Sequence, residues 1–114
     1  MNGCIFCKII KREIPAGIVY EDASVIAIRD INPQAPVHVL LMPKKHIDDI
    51  LGFGDEDSGL LSAIISAIGI IAEKTGIRQN GFRVISNCGK AAGQSVRHVH
   101  FHILGGSLFG ERII

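Results

Sequence analysis

The sequence lacks any long run of basic residues. Lys11-Arg12 and Lys44-Lys45 are its densest cationic spots, and the net charge of the 114 residues is +1 with histidine neutral. No nucleic-acid partner is therefore expected, although a small anionic ligand needs only a few well-placed donors. No apolar stretch reaches the ~20 residues of a bilayer span. The longest, 59–72, is interrupted by Ser62 and Ser66, so no membrane association is expected. The apolar segment 4–10 is too short for a secretory signal and runs into Lys11-Arg12. Cysteine is scarce and odd in number, three residues. Without an export signal this points to a reducing cytoplasm and away from a disulfide framework. Neither a P-loop nor a G-x-G-x-x-G turn occurs. No acidic cluster offers a magnesium site, so any catalysis is expected to run without a divalent metal.

What is present suffices for one core. Apolar residues make up 47% of the chain, and no linker or repeat divides it, so residues 1–114 read as a single domain. Residues 4–12 place Ile5, Phe6, Ile9 and Ile10 at helical spacing before Pro15. Segments 18–21 and 24–29 read as two strands about a turn at Asp22-Ala23. Pro33 and Pro36 force a loop, and 37–42 is a third strand ended by Pro43. A helical turn is expected over 46–51. Asp55-Glu56-Asp57-Ser58 starts a helix that runs to Lys74 and stops at Gly76. Strands follow at 82–87 and 97–104. The order predicts an α+β fold: a five-stranded antiparallel sheet, a short N-terminal helix and one long helix.

The long helix is apolar around more than half its circumference, with Leu60, Leu61, Ile64, Ile65, Ile68, Ile70, Ile71 and Ala72. A helix lying on a sheet needs a single stripe. The excess predicts a homodimer with this helix in the interface, and a sheet extended across it.

His98, His100 and His102 recur at every second position. On a strand this puts three imidazoles on one face, about 6.6 Å apart, while Val99, Phe101 and Ile103 supply core. Two chemistries use such a face. One is metal ligation; the other is nucleophilic and acid–base catalysis. Just upstream, Asn87-Cys88-Gly89-Lys90-Ala91-Ala92-Gly93-Gln94-Ser95-Val96 has the glycines and small polar residues of an anion-binding loop. Cys88 reads there as a small loop residue. Near the start, Cys4-Ile5-Phe6-Cys7 is a C-x-x-C pair, which in an intracellular protein is a metal or redox spacing.

These segments together resemble the histidine triad (HIT) superfamily, nearest its Hint branch of nucleoside phosphoramidases. The resemblance rests on His98-Val99-His100-Phe101-His102-Ile103-Leu104 with Gly105-Gly106, and on Gly93-Gln94-Ser95-Val96 before it. It also rests on Asp30-Ile31-Asn32-Pro33-Gln34-Ala35-Pro36-Val37-His38, Pro43-Lys44-Lys45-His46 and Ile5-Phe6-Cys7-Lys8-Ile9-Ile10 with Glu13-Ile14-Pro15. It spans residues 4–106. The tail 107–114 departs from the animal Hint pattern in having no tryptophan.

The resemblance implies a purine-nucleotide ligand, with adenosine preferred. It implies hydrolysis or transfer at the α-phosphorus through a covalent nucleotidyl-histidine. His100 falls at the nucleophile, and His102, Ser95, His98 and His38 complete the catalytic set. Asn87, Gly93, Gln94, Ser95 and Val96 would hold the phosphate, and Asp30 the ribose. Ile5, Phe6, Ile9, Ile28, Ile31 and Leu40 would form an apolar slot for the base. Bacterial members with the C-x-x-C pair bind structural zinc at positions matching Cys4, Cys7, His46 and His98. Dinucleoside polyphosphate hydrolysis is the alternative activity within the superfamily. A nucleotide-binding interaction module with incidental turnover is the alternative outside enzymology.

Overall fold

The computed structural model describes residues 3–114. A short helix α1 (Ile5–Ile10) leads into strands β1 (Ile18–Glu21), β2 (Val25–Arg29) and β3 (Val37–Pro43). Helix α2 (Ser58–Thr75) follows, then β4 (Phe82–Ile85) and β5 (Phe101–Gly105). The strands form one antiparallel sheet in the order β1-β2-β3-β5-β4. This is the expected α+β architecture.

The pleat sorts side chains to the two faces. Val25, Ala27, Val39, Leu41 and Ile103 pack with Ile64, Ala67, Ile71 and Ala72 of α2. Ile26, Ile28, Leu40 and Met42 pack on the opposite face with Cys4, Phe6, Cys7 and Ile9. β2 and β3 are thus covered on both sides, which explains why their sequences run apolar without strict alternation. His38 and His102 have the α1-face parity of Leu40, which pairs with His102 across β3 and β5.

Two expected boundaries shift, both for hydrogen-bonding reasons. The strand expected over 82–87 ends at Ile85, and the Ser86 hydroxyl donates to the His100 carbonyl at 2.9 Å. The strand expected over 97–104 begins only at Phe101. Pro43 has no N–H to continue the ladder, and its carbonyl accepts from His98 Nε2 at 2.8 Å. The Val99 N–H turns instead to the Ile47 carbonyl. Side chains and the 46–49 segment therefore replace the ladder along residues 98–100.

α2 ends at Gly76, whose φ of 76° is the left-handed cap that glycine allows. With the turn before it, the run Asp55–Thr75 has the length and apolar composition of a membrane span, longer than the 59–72 stretch that the sequence emphasises. Its buried residues Ile64, Ala67, Ile71 and Ala72 lie on the sheet as a core helix does. Leu61, Ile65 and Ile70 stand exposed.

Candidate functional site

Each of the three imidazoles of the motif has its own hydrogen-bond partner, two of them on β3 and one in its own segment. His98 is fully buried. Its Nε2–H donates to the Pro43 carbonyl, so its Nδ1 carries the lone pair. His100 Nδ1–H donates to the His98 carbonyl at 2.7 Å, which leaves the Nε2 lone pair free to attack. His102 Nδ1 lies 2.9 Å from His38 Nε2. The ring centroids of His100 and His102 are 5.3 Å apart, and Phe6 stands edge-on to His100 at 5.0 Å.

Burial, reinforced by His100 and His38, pushes His102 down to about 4, against the pull of Asp30. Burial likewise lowers His98, opposed by its bond to Pro43. Both rings are therefore neutral at physiological pH.

Asp30 closes the loop after β2. Its Oδ1 accepts from the Asn32 N–H at 2.8 Å, and its Oδ2 lies 3.3 Å from His38 Nε2. Of the six residues expected around a base, Phe6, Ile9, Ile28 and Leu40 are buried close together on the α1 face. Ile5 is half exposed at the start of α1. Ile31, 92 % exposed, stands apart from that cluster in solvent.

The loop 87–96 is held largely by its own hydrogen bonds. Gly89 and Gly93 take φ values of 88° and 82°, flanking a short 3-10 turn at Lys90–Ala92. The Gln94 carboxamide accepts from the Gly89 N–H and donates to the carbonyls of Val96 and Asp48. That side chain is fully engaged within the protein, so it shapes the loop. A cleft of about 540 Å³ reaches Ser95 and Val96 and is bounded by Cys4, Ile5, His46 and Arg97.

Cys4, Cys7, His46 and His98 converge into a group that could hold a metal ion, their candidate ligand atoms all within 4.8 Å of one another. Cys7 Sγ lies 3.2 Å from His46 Nδ1 and 3.5 Å from His98 Nδ1, and Cys4 Sγ lies 3.4 Å from His98 Nδ1. Zinc–ligand bonds of about 2.3 Å to sulfur and 2.0 Å to nitrogen give tetrahedral edges of about 3.5 Å, so the spacing fits. The second nitrogens fit as well. His46 Nε2 bonds Asp48 Oδ1 at 3.0 Å, and His98 Nε2 bonds Pro43, so both Nδ1 lone pairs face the sulfurs. Burial, and then the neighbouring Cys4 thiol, pushes the Cys7 thiol up to about 11. A thiolate at this position needs a cation beside it.

Three contributors were not visible as site residues in the sequence: Ser86, Asp48 and the backbone amide of Gln34. The first two are ordinary polar residues: Ser86 bonds a carbonyl 14 positions away, and Asp48 bonds His46 two positions before it, a spacing with no motif of its own. The third carries no side-chain signal at all; its N–H donates to His38 Nδ1 at 3.0 Å.

Comparison with known proteins agrees with this geometry. The HIT domain family model matches residues 11–108. A HIT family hydrolase from Clostridium thermocellum superposes with a TM-score of 0.97 at 51% identity, covering 100% of this chain and 99% of that one. The purine nucleoside phosphoramidase of Escherichia coli is 45% identical over 109 residues, 96% of this chain and 92% of that protein. Protein HitA of Neisseria gonorrhoeae is 45% identical over 92% of this chain and 97% of its own length. The chain belongs to the HIT domain family, in its Hint-like branch.

Proposed function

We propose that this protein hydrolyses nucleoside phosphoramidates, adenosine 5′-phosphoramidates preferred, through a covalent nucleotide on His100. The observation that carries the reading is the 2.7 Å bond from His100 Nδ1–H to the His98 carbonyl. It puts the ring proton on Nδ1, so that Nε2 is the nitrogen available to attack, and is placed to stabilise the positive imidazolium of the adduct. His100 Nε2 attacks the α-phosphorus and forms a P–N bond. The substrate's own P–N bond breaks, and the amine leaves with the electron pair and a proton from solvent. Water then attacks phosphorus, His100 departs as neutral imidazole, and the water's proton returns to solvent.

His102 and Ser95 contact the phosphoryl group, with Asn87 and the backbone of Gly93, Gln94 and Val96 along the same loop. Asp30 accepts from the ribose hydroxyls, and Phe6, Ile9, Ile28 and Leu40 offer an apolar wall for the base. The relationship to the E. coli purine nucleoside phosphoramidase supports the P–N bond as target.

Zinc is the metal we assign to Cys4, Cys7, His46 and His98. With all four positions filled by protein it supplies no open coordination site and acts as a structural tie. The protein acts as a homodimer in which a second copy covers Leu61, Ile65 and Ile70. β4, an edge strand with exposed Val84, is open to continue the sheet into that copy. Three free thiols support a reducing, cytoplasmic setting.

The test is His100→Ala assayed on an adenosine phosphoramidate. Turnover falls at least ~10³-fold and the covalent adduct vanishes from the mass spectrum, while nucleotide binding persists. Retained turnover, or an adduct on another residue, rejects the mechanism.

A further inference from the structure

We propose that the backbone amide of Gln34 fixes the tautomers of the His38–His102 pair and makes His102 a hydrogen-bond donor at Nε2, not a proton-transferring acid. The argument is a chain of tautomers. The Gln34 N–H donates to His38 Nδ1 at 3.0 Å, so that nitrogen holds a lone pair and the proton of neutral His38 sits on Nε2. His38 Nε2–H in turn faces His102 Nδ1 at 2.9 Å. That nitrogen must therefore accept, and the His102 proton sits on Nε2. A backbone amide thus specifies, two hydrogen bonds away, which edge of His102 carries its proton.

The same chain resists charging. The two basic nitrogens of the pair are His38 Nδ1 and His102 Nδ1, and each already faces an N–H. Adding a proton at either breaks a hydrogen bond and sets two donors against each other in a buried site. The ionisable groups facing His102 are His38 from β3, His100 from its own segment and Asp30 from the loop after β2; β4 brings Ile85 into register with it. Asp30 alone favours the charged ring, and His38 Nε2–H lies 3.3 Å from its Oδ2.

Asp30, His38 and His102 are also close enough together to hold a metal ion. The amide argues against that use. To ligate through Nε2, His38 would have to carry its proton on Nδ1, directly against the Gln34 N–H.

The inference rests on the proposed hydrolysis only for its consequence at the phosphate. Its test needs no substrate, so the two stand or fall separately. Protein labelled with ¹⁵N at histidine is titrated by long-range ¹H–¹⁵N correlation. In the wild type, His38 and His102 both appear as Nε2–H tautomers, and His102 stays neutral at about pH 5.5, where an ordinary imidazole is mostly charged. A protonated Nδ1 on His102, a protonated Nδ1 on His38, or ordinary titration of His102 overturns the proposal without any variant. Gln34→Pro removes the N–H, and Gln34→Ala keeps it. The proline variant shifts the titration of His102 up toward the ordinary value of about 6.5; the alanine variant titrates as wild type. A folded proline variant whose His102 stays neutral at about pH 5.5 also overturns it.

Discussion

The backbone N–H of Val99 donates to the carbonyl of Ile47 at 2.6 Å. Val99 lies between His98 of the candidate metal group and His100, and Ile47 follows His46 of that same group. The bond therefore fastens the segment of the candidate metal group to the segment that carries His100, the proposed nucleophile. Gln94 adds a second tie through the Asp48 carbonyl, and Arg97 a third through the carboxylates of Asp48 and Asp49. Order at Cys4, Cys7, His46 and His98 is thereby transmitted to the loop beside His100.

Asp48→Asn tests the outer layer of that arrangement. The carboxylate fixes the His46 ring with its Nδ1 toward the sulfurs, so its loss should lower affinity for the proposed zinc about 10–100-fold. Competition against a chromophoric chelator measures this. A change under about threefold shows that Asp48 does not orient His46.

Asp57 makes folding sensitive to acid. The Lys45 ammonium, 2.7 Å away, and then the Gly54 N–H hold its carboxyl below the usual aspartate range. A folded-state pKa lowered below the unfolded value of about 3.9 stabilises the protein above that pH, and the benefit disappears as pH falls through the folded value. Denaturant titrations should therefore show Asp57→Asn less stable than wild type at neutral pH, with the gap closing below about pH 4. A gap that stays constant with pH assigns the loss to some other cause.

Gly105 ends β5 against Ile77. A Cβ there would stand 2.8–2.9 Å from three atoms of the Ile77 side chain, including its own Cβ. Gly105→Ala should destabilise the fold by about 1–3 kcal/mol as an overpacked core. Chemical denaturation reads this directly, and a loss below about 0.5 kcal/mol means that Ile77 moves aside freely.

Ile65 is 68 % exposed in the middle of α2. A glutamate in its place puts charge into the proposed contact with a second copy. Sedimentation velocity should find a dimer for the wild type and a folded monomer for Ile65→Glu. A wild-type monomer at micromolar concentration removes the dimer from the account.

Much of this protein is readable one residue after another. Alternation in 99–103, the cap at Gly76 and the breaks at Pro33, Pro36 and Pro43 locate the elements, because each is a local steric or hydrogen-bonding rule. The histidine spacing likewise marks the site, since a two-residue period puts side chains on one side of an extended chain. Tertiary structure alone decided where the strand of histidines begins. Ser86 and Ile47 take backbone groups of His100 and Val99 from the sheet ladder, and the Pro43 carbonyl takes the His98 ring; competition between distant partners leaves no periodic trace. It also decided that Gln94 braces its own loop and that a peptide N–H at Gln34 governs His38. Every residue but proline has such an N–H, so only the folded path of the chain distinguishes this one.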